Sequence, residues 1–76
     1  MISSAQIRAA RSLLGLSQAQ VGEAAGVSIP TLKRAEGASA IKASEKSLIA
    51  IRAALETAGI EFIEENGGGA GVRLRK

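Results

Sequence analysis

The sequence has no cysteine and no histidine. The first absence excludes a disulfide framework and a thiolate metal site. The two together exclude zinc sites of the usual structural kinds and histidine-based acid–base chemistry. Tryptophan and tyrosine are missing as well, and Phe62 is the one aromatic residue. A core must therefore come from Ala, Leu, Ile and Val, and 46% of the residues are hydrophobic. No apolar run approaches the roughly 18 residues of a membrane span, so no membrane partner is expected. The opening stretch MISSAQIRAARSLLGLS lacks the continuous apolar segment of a targeting peptide and reads better as a capped amphipathic helix. With 76 residues and a net charge of +3, the chain is expected to be one small soluble protein of a reducing cytoplasm. That charge favours a polyanionic partner without naming one.

Punctuation is what the sequence does have. Ser3 with Gln6 is a capping-box pattern, and Ile7, Ala10 and Leu14 then share a helical face up to Gly15. This predicts a first helix over about 4–14. Ser17 with Gln20 repeats the box and opens a second helix over about 18–25, stopped by Gly26. Ser28 can cap a third, with Pro30 in its first turn, running to about Glu36 and stopping at Gly37. After the loop ASAIKA, Ser44 can cap a fourth helix in which Leu48, Ile51, Leu55 and Ala58 share a face, with Gly59 ending it.

From residue 60 the period changes. IEFIEE and VRLRK alternate apolar and charged residues on either side of NGGGAG, which reads as a β-hairpin with a long loop. Glu61, Glu64 and Glu65 are expected to face Arg73 and Arg75 across it. The triple glycine is not read as a phosphate cradle, because such a loop opens a helix and this one leads into a strand. The fold class expected is mostly α: a compact four-helix unit over 1–59 with a C-terminal hairpin over 60–76.

The segment LSQAQVGEAAGVSIPTLKRAEG contains two helices too short to stand alone. Joined by a tight turn at roughly 90–120°, they can lean on each other and on the flanking helices, which is a helix-turn-helix. Gly26 supplies the turn. Gly22 lies inside a helix at a cost of roughly 1 kcal/mol against Ala, for which a close approach by the third helix is the expected return. Val21, Ala25, Val27, Leu32 and Ala35 are expected in the core.

Gln18, Gly22, Gly26 and Leu32 have the spacing of the phage repressor and Cro-like helix-turn-helix family, of the xenobiotic-response-element type. The run RSLLGLSQAQVGEAAGVSIPTLKRAEG resembles that family's first three helices, and the resemblance covers about residues 5–58. Gly22 stands where alanine is commoner. Ile29 and Pro30 stand where polar base-reading residues often occur, and the hairpin lies outside the family pattern. The resemblance implies a bacterial or phage regulator at the nucleoid, binding double-stranded DNA with the third helix in the major groove. It puts Arg34 at a position often used for base reading, and a guanidinium can fork onto guanine O6 and N7. Lys33 suits phosphate. Ile29 and Pro30 can pack on a thymine methyl. Ser28 and Thr31 can donate to phosphate or cap the helix, and Gln18 can bind phosphate beside a helix start. The resemblance also pairs Arg11 with Glu36 as an internal salt bridge. Arg8, Lys42 and Lys46 can line the DNA backbone or simply be solvated, and Arg52 is expected to snorkel.

Three function classes follow. Sequence-specific DNA binding, with transcriptional regulation, is the main expectation. The alternative is a protein-interaction module of the same fold, such as an antitoxin or anti-activator, holding a protein partner; the apolar start of the third helix suits it. An enzyme is the least expected, since no nucleophile–base or metal set exists. No cofactor is expected. A lone hairpin is marginal in water, so Ile60, Phe62, Ile63, Val72 and Leu74 are expected to join two chains into a homodimer, which could read two half-sites.

Overall fold

Each of the four helices starts behind a serine. The computed structural model describes residues 2–75; Met1 and Lys76, the outer ends of the two expected units, lie outside the described residues. The order is α1 (Ser4–Leu14), α2 (Gln18–Ala25), α3 (Ile29–Ala35), α4 (Glu45–Thr57), β1 (Ile60–Ile63) and β2 (Gly71–Leu74). At the start of α1, Ser3 Oγ accepts from the Gln6 amide at 3.2 Å while Gln6 Oε1 accepts from the Ser3 amide at 2.8 Å. Ser17 and Gln20 repeat this at α2. Such caps satisfy otherwise orphaned amides and each contributes about 1 kcal/mol.

The turn between α2 and α3 depends on two glycines. Gly26 takes the left-handed conformation, with φ 72°, where a β carbon is penalised. At Gly22 a β carbon would stand 2.9 Å from the Val27 carbonyl oxygen, and the Val27 amide donates to the Gly22 carbonyl at 2.9 Å. The close neighbour is thus the turn's own backbone. The expected close approach by the third helix itself is corrected on this point.

The core is aliphatic with one ring. Ile7, Leu32, Ile51 and Ile60 are fully buried, and Ile2, Ala10, Val21, Ala35, Leu55 and Phe62 complete the cluster. All four helices and the first strand contribute to it. Burial of each large side chain stabilises by roughly 1.5–3 kcal/mol, which is how helices of seven and eight residues persist despite costly nucleation. Among the described residues no helix is long and apolar enough to cross a membrane.

The hairpin is antiparallel, with Ile60 opposite Leu74, Glu61 opposite Arg73, Phe62 opposite Val72 and Ile63 opposite Gly71. Its strands are shorter than the alternating runs suggest. Glu64 and Glu65 lie in the loop beyond the ladder and so cannot face an arginine on β2. The expected charge ladder reduces to one rung, Glu61 with Arg73 at 2.9 Å. Arg75 turns to α4 and donates to the Glu56 carbonyl at 2.9 Å. Arg52 pairs with Glu56 at 3.1 Å and lies 5.5 Å from the Phe62 ring centroid, a cation–π contact rather than a side chain extended to solvent.

Candidate nucleic-acid interface

Helix α3 buries Leu32 and Ala35 and exposes Ile29, Pro30 and Lys33. Its start is rigid. Ser28 Oγ accepts from the Thr31 amide at 3.2 Å and donates to Thr31 Oγ1 at 2.9 Å. The Ser28 proton is thereby committed to the cap, while the Thr31 hydroxyl still has its own proton to give. Ile29 is 41% exposed, which makes the leading edge of the helix apolar.

The two basic residues of α3 diverge. Lys33 is exposed and Arg34 half-buried. Arg34 lines a groove of about 340 Å³ that also involves Ser4 at the start of α1 and Lys42 in the loop before α4. Consecutive helical residues point about 100° apart, so a Lys-Arg pair in sequence is not a pair in space. Among the described residues Lys33, Arg34, Lys42 and Lys46 make no ion pair.

The C-terminal end of α3 is fastened through Glu36, whose side chain is 4% exposed. Arg11 grips its carboxylate with two hydrogen bonds, Nε to Oε2 at 2.7 Å and Nη2 to Oε1 at 3.2 Å. The Glu36 hydrogen bond, with its charge beside it, raises the Arg11 pKa above the ordinary guanidinium value against the opposing effect of burial. Arg11 also donates to the Leu16 carbonyl at 3.2 Å. Gln18 Nε2 adds a bond to Glu36 Oε1 at 3.1 Å, and Arg8 donates to the Glu36 backbone carbonyl. One carboxylate thus ties α1, the first residue of α2 and the end of α3. Gln18 is therefore engaged inside the chain through one hydrogen of its amide, with the second hydrogen left to donate elsewhere.

Sequence reasoning missed the role of Gln6. Its Oε1 completes the α1 cap, and its Nε2 donates to the carbonyls of Ile63 at 3.3 Å and Gly71 at 3.0 Å. These bonds hold both strands of the hairpin at their loop end. Gln20 occupies the same capping pattern and stays exposed, so the motif carried no signal for the difference.

The residues expected to join two chains divide. Ile60 and Phe62 are 0% and 8% exposed in the chain's own core, so a second chain cannot reach Ile60 without opening that core. Ile63 and Val72 are half-buried and Leu74 is exposed.

Among known families, the one described as "Helix-turn-helix domain" matches residues 4–62. The chain belongs to the helix-turn-helix domain family. The match takes in α1 to α4 and runs into β1 of the hairpin. The hub at Glu36 and the glycine turn therefore lie within this helix-turn-helix domain, and β2 lies beyond it. No curated protein matches the chain.

Proposed function

We propose that this helix-turn-helix domain is a sequence-specific DNA-binding transcriptional regulator of the repressor and Cro-like type, acting as a homodimer at the nucleoid. Helix α3 would enter the major groove. The observation that carries the reading is the distribution of unpaired charge. Among the described residues Lys33 and Arg34 on α3, Lys42 in the loop after it and Lys46 in the first turn of α4 make no ion pair, whereas Arg11, Arg52 and Arg73 are each committed to a glutamate and Arg8 and Arg75 donate to backbone carbonyls. Unpaired cations on α3 and the segment that follows it attract a polyanion and release its counterions. In this reading Arg34 reads a guanine, Lys33 contacts phosphate, and Ile29 with Pro30 packs on a thymine methyl. Thr31 and Gln18 add phosphate contacts, Gln18 from the N-terminus of α2. The helical part carries recognition and the hairpin carries assembly.

The test is titration against DNA from the protein's own upstream region, beside a scrambled duplex, at two salt concentrations. The expected result is preference for the upstream duplex and steep weakening as salt rises. Equal affinity for both duplexes removes sequence-specific recognition. The exposed Ile29 favours the second reading, a module that holds a protein partner through the start of α3. Its signature would be partner binding that changes little with salt.

A further inference from the structure

The two edges of the hairpin are not equivalent. The Arg75 amide donates to the Gly59 carbonyl at 2.7 Å, which sets the phase of the antiparallel ladder. Glu61 with Arg73, and Ile63 with Gly71, exchange the backbone bonds, and the intervening residues turn their amides and carbonyls away from the ladder. On β1 those residues are Ile60 and Phe62, 0% and 8% exposed, so that edge is closed by the chain's own core. On β2 they are Val72, half-buried, and Leu74, 41% exposed. Among the described residues neither backbone has a partner outside the ladder. A groove of about 210 Å³ lies between Val72 and the small residues Ala5 and Ala9 on the outer side of α1. An open edge of this kind is a template for another strand.

We infer that the β2 edge is the docking surface for a second copy of this chain, paired antiparallel with Val72 on the two-fold axis. A two-fold axis sets one residue opposite itself, in a hydrogen-bonded pair if that residue turns its backbone outward, as Val72 and Leu74 do, and in a non-hydrogen-bonded pair if it does not, as with Gly71 and Arg73. Centring on Arg73 sets that arginine against its own copy, and centring on Gly71 sets Arg73 and Leu74 against Gly69 and Gly68, which lie outside the strand. Centring on Leu74 sets Arg73 against Arg75 of the second copy, and like charges directly opposite are destabilising. Centring on Val72 sets Arg73 against Gly71 of the second copy, which has no side chain, and leaves Arg73 with its own Glu61 at 2.9 Å. Leu74 then faces Ala70 of the second copy, whose small side chain leaves room for it. The strand order becomes β1-β2-β2-β1, and Ala5 and Ala9 let the two α1 helices approach across the groove. The sequence of β2 is self-complementary in this register, which is why the occupant is this chain rather than an arbitrary extended peptide.

This surface deepens the dimeric reading above and rests on it, and it is independent of what α3 contacts. The chain has no cysteine, so Val72→Cys introduces a single thiol beside the axis. Cα atoms of directly opposite, hydrogen-bonded residues lie about 5.5 Å apart, within disulfide reach. Arg75→Cys is the control, since its two copies would be roughly 20 Å apart in this register. Expected on mild oxidation at micromolar concentration is a rapid covalent dimer from Val72→Cys and only slow collisional cross-linking from Arg75→Cys. Val72→Pro removes the outward amide without touching the ladder, and is expected to sediment as a monomer with its helicity retained. The cysteine pair decides the question where proline loosens the strand. An unmodified protein that sediments as a monomer at micromolar concentration overturns the inference, as does cross-linking at equal rates. DNA titration is scored apart. A dimer without DNA affinity defeats the reading of α3 and leaves this surface standing, and a monomer that binds DNA does the reverse.

Discussion

Helix α3 and the β-hairpin are both too small to hold a shape alone, and both are fastened to α1, but by different chemistry. The end of α3 is held by ions, with Arg11 on the carboxylate of Glu36 and Arg8 on its carbonyl. The hairpin is held by a neutral amide, with Gln6 donating to one carbonyl on each strand. The free charge differs in the same sense. Among the described residues Lys33 and Arg34 of α3 make no ion pair, whereas the two charged residues within the hairpin's strands, Glu61 and Arg73, pair with each other. An element that presents unpaired charge must be fixed where it cannot shift, and a buried carboxylate with several donors does that directionally. The hairpin covers the core by apolar burial, with the Gln6 amide at its loop end and the Arg75 bond to the Glu56 carbonyl at the other.

The largest expected effect comes from breaking the ionic clamp, and it should be asymmetric. Glu36 is 4% exposed and Arg11 26%. Arg11→Ala strands a buried carboxylate and is expected to cost about 3–5 kcal/mol, enough to unfold a small domain. Glu36→Ala leaves a guanidinium that can turn to water and should cost less, about 1–3 kcal/mol. The double variant should be more stable than the sum of the single losses. Urea unfolding of the three variants measures this, and additivity would mean that the two residues act independently.

The neutral clamp can be broken without touching the helix cap. Gln6→Glu keeps an acceptor for the Ser3 amide but removes both donors and sets a carboxylate against the carbonyls of Ile63 and Gly71. Expected at neutral pH is a loss of about 1–3 kcal/mol, with faster amide exchange in the hairpin and little change in α3. The introduced carboxyl would have a folded-state pKa above its unfolded value, because only its protonated form can donate there. Its deficit should therefore shrink as pH falls through that raised value. A deficit unchanged in acid would show that the Gln6 amide does not hold the strands.

On the functional side, the divergence of Lys33 and Arg34 predicts different losses. Arg34→Ala is expected to cost roughly 1–3 kcal/mol of specific binding and to relax the preference at one base pair. Lys33→Ala should weaken every duplex similarly and lower the salt slope by about one phosphate contact. Neither should alter urea stability measurably. If Arg34→Ala weakens specific and scrambled DNA alike, the arginine touches phosphate and specificity lies elsewhere on α3.

Local features of the fold were legible in the sequence. The serine caps, the glycine stops at Gly15 and Gly26, and the change of period at Ile60 act over four residues or fewer, so neighbouring letters contain the information. The Arg11–Glu36 contact was legible only through family resemblance, because 25 residues separate the partners. Gln6 was not legible at all. Its partners lie 57 and 65 residues away, and its capping pattern is repeated at Gln20, whose side chain makes no tertiary hydrogen bond among the described residues. The expected ladder of Glu61, Glu64 and Glu65 failed because alternation reports the face of a residue and not where the ladder ends.

The smallest expected effect is at the hairpin's own ion pair, and it sets the lower bound of the comparison. The Arg73 hydrogen bond, with its charge beside it, holds the Glu61 carboxyl below its ordinary value, and Glu61 in turn raises the Arg73 pKa. Both side chains are open to solvent, 64% and 44% exposed, so water and salt screen the attraction and the cost of ordering two flexible side chains offsets much of it. Because the folded pKa of Glu61 is depressed, any stability from the pair is present above the unfolded carboxylate value and is lost as pH falls through the folded one. Arg73→Ala should therefore be indistinguishable from the unmodified chain in strong acid and only slightly less stable at neutral pH, with high salt removing the difference. The Arg11 clamp sits against a buried carboxylate and should respond far less to salt than the Arg73 pair. Denaturation of Arg73→Ala and Arg11→Ala at low and high salt tests this. If added salt erases both deficits equally, burial does not separate the two pairs, and the contrast between the clamp on α3 and the surface pair of the hairpin is lost.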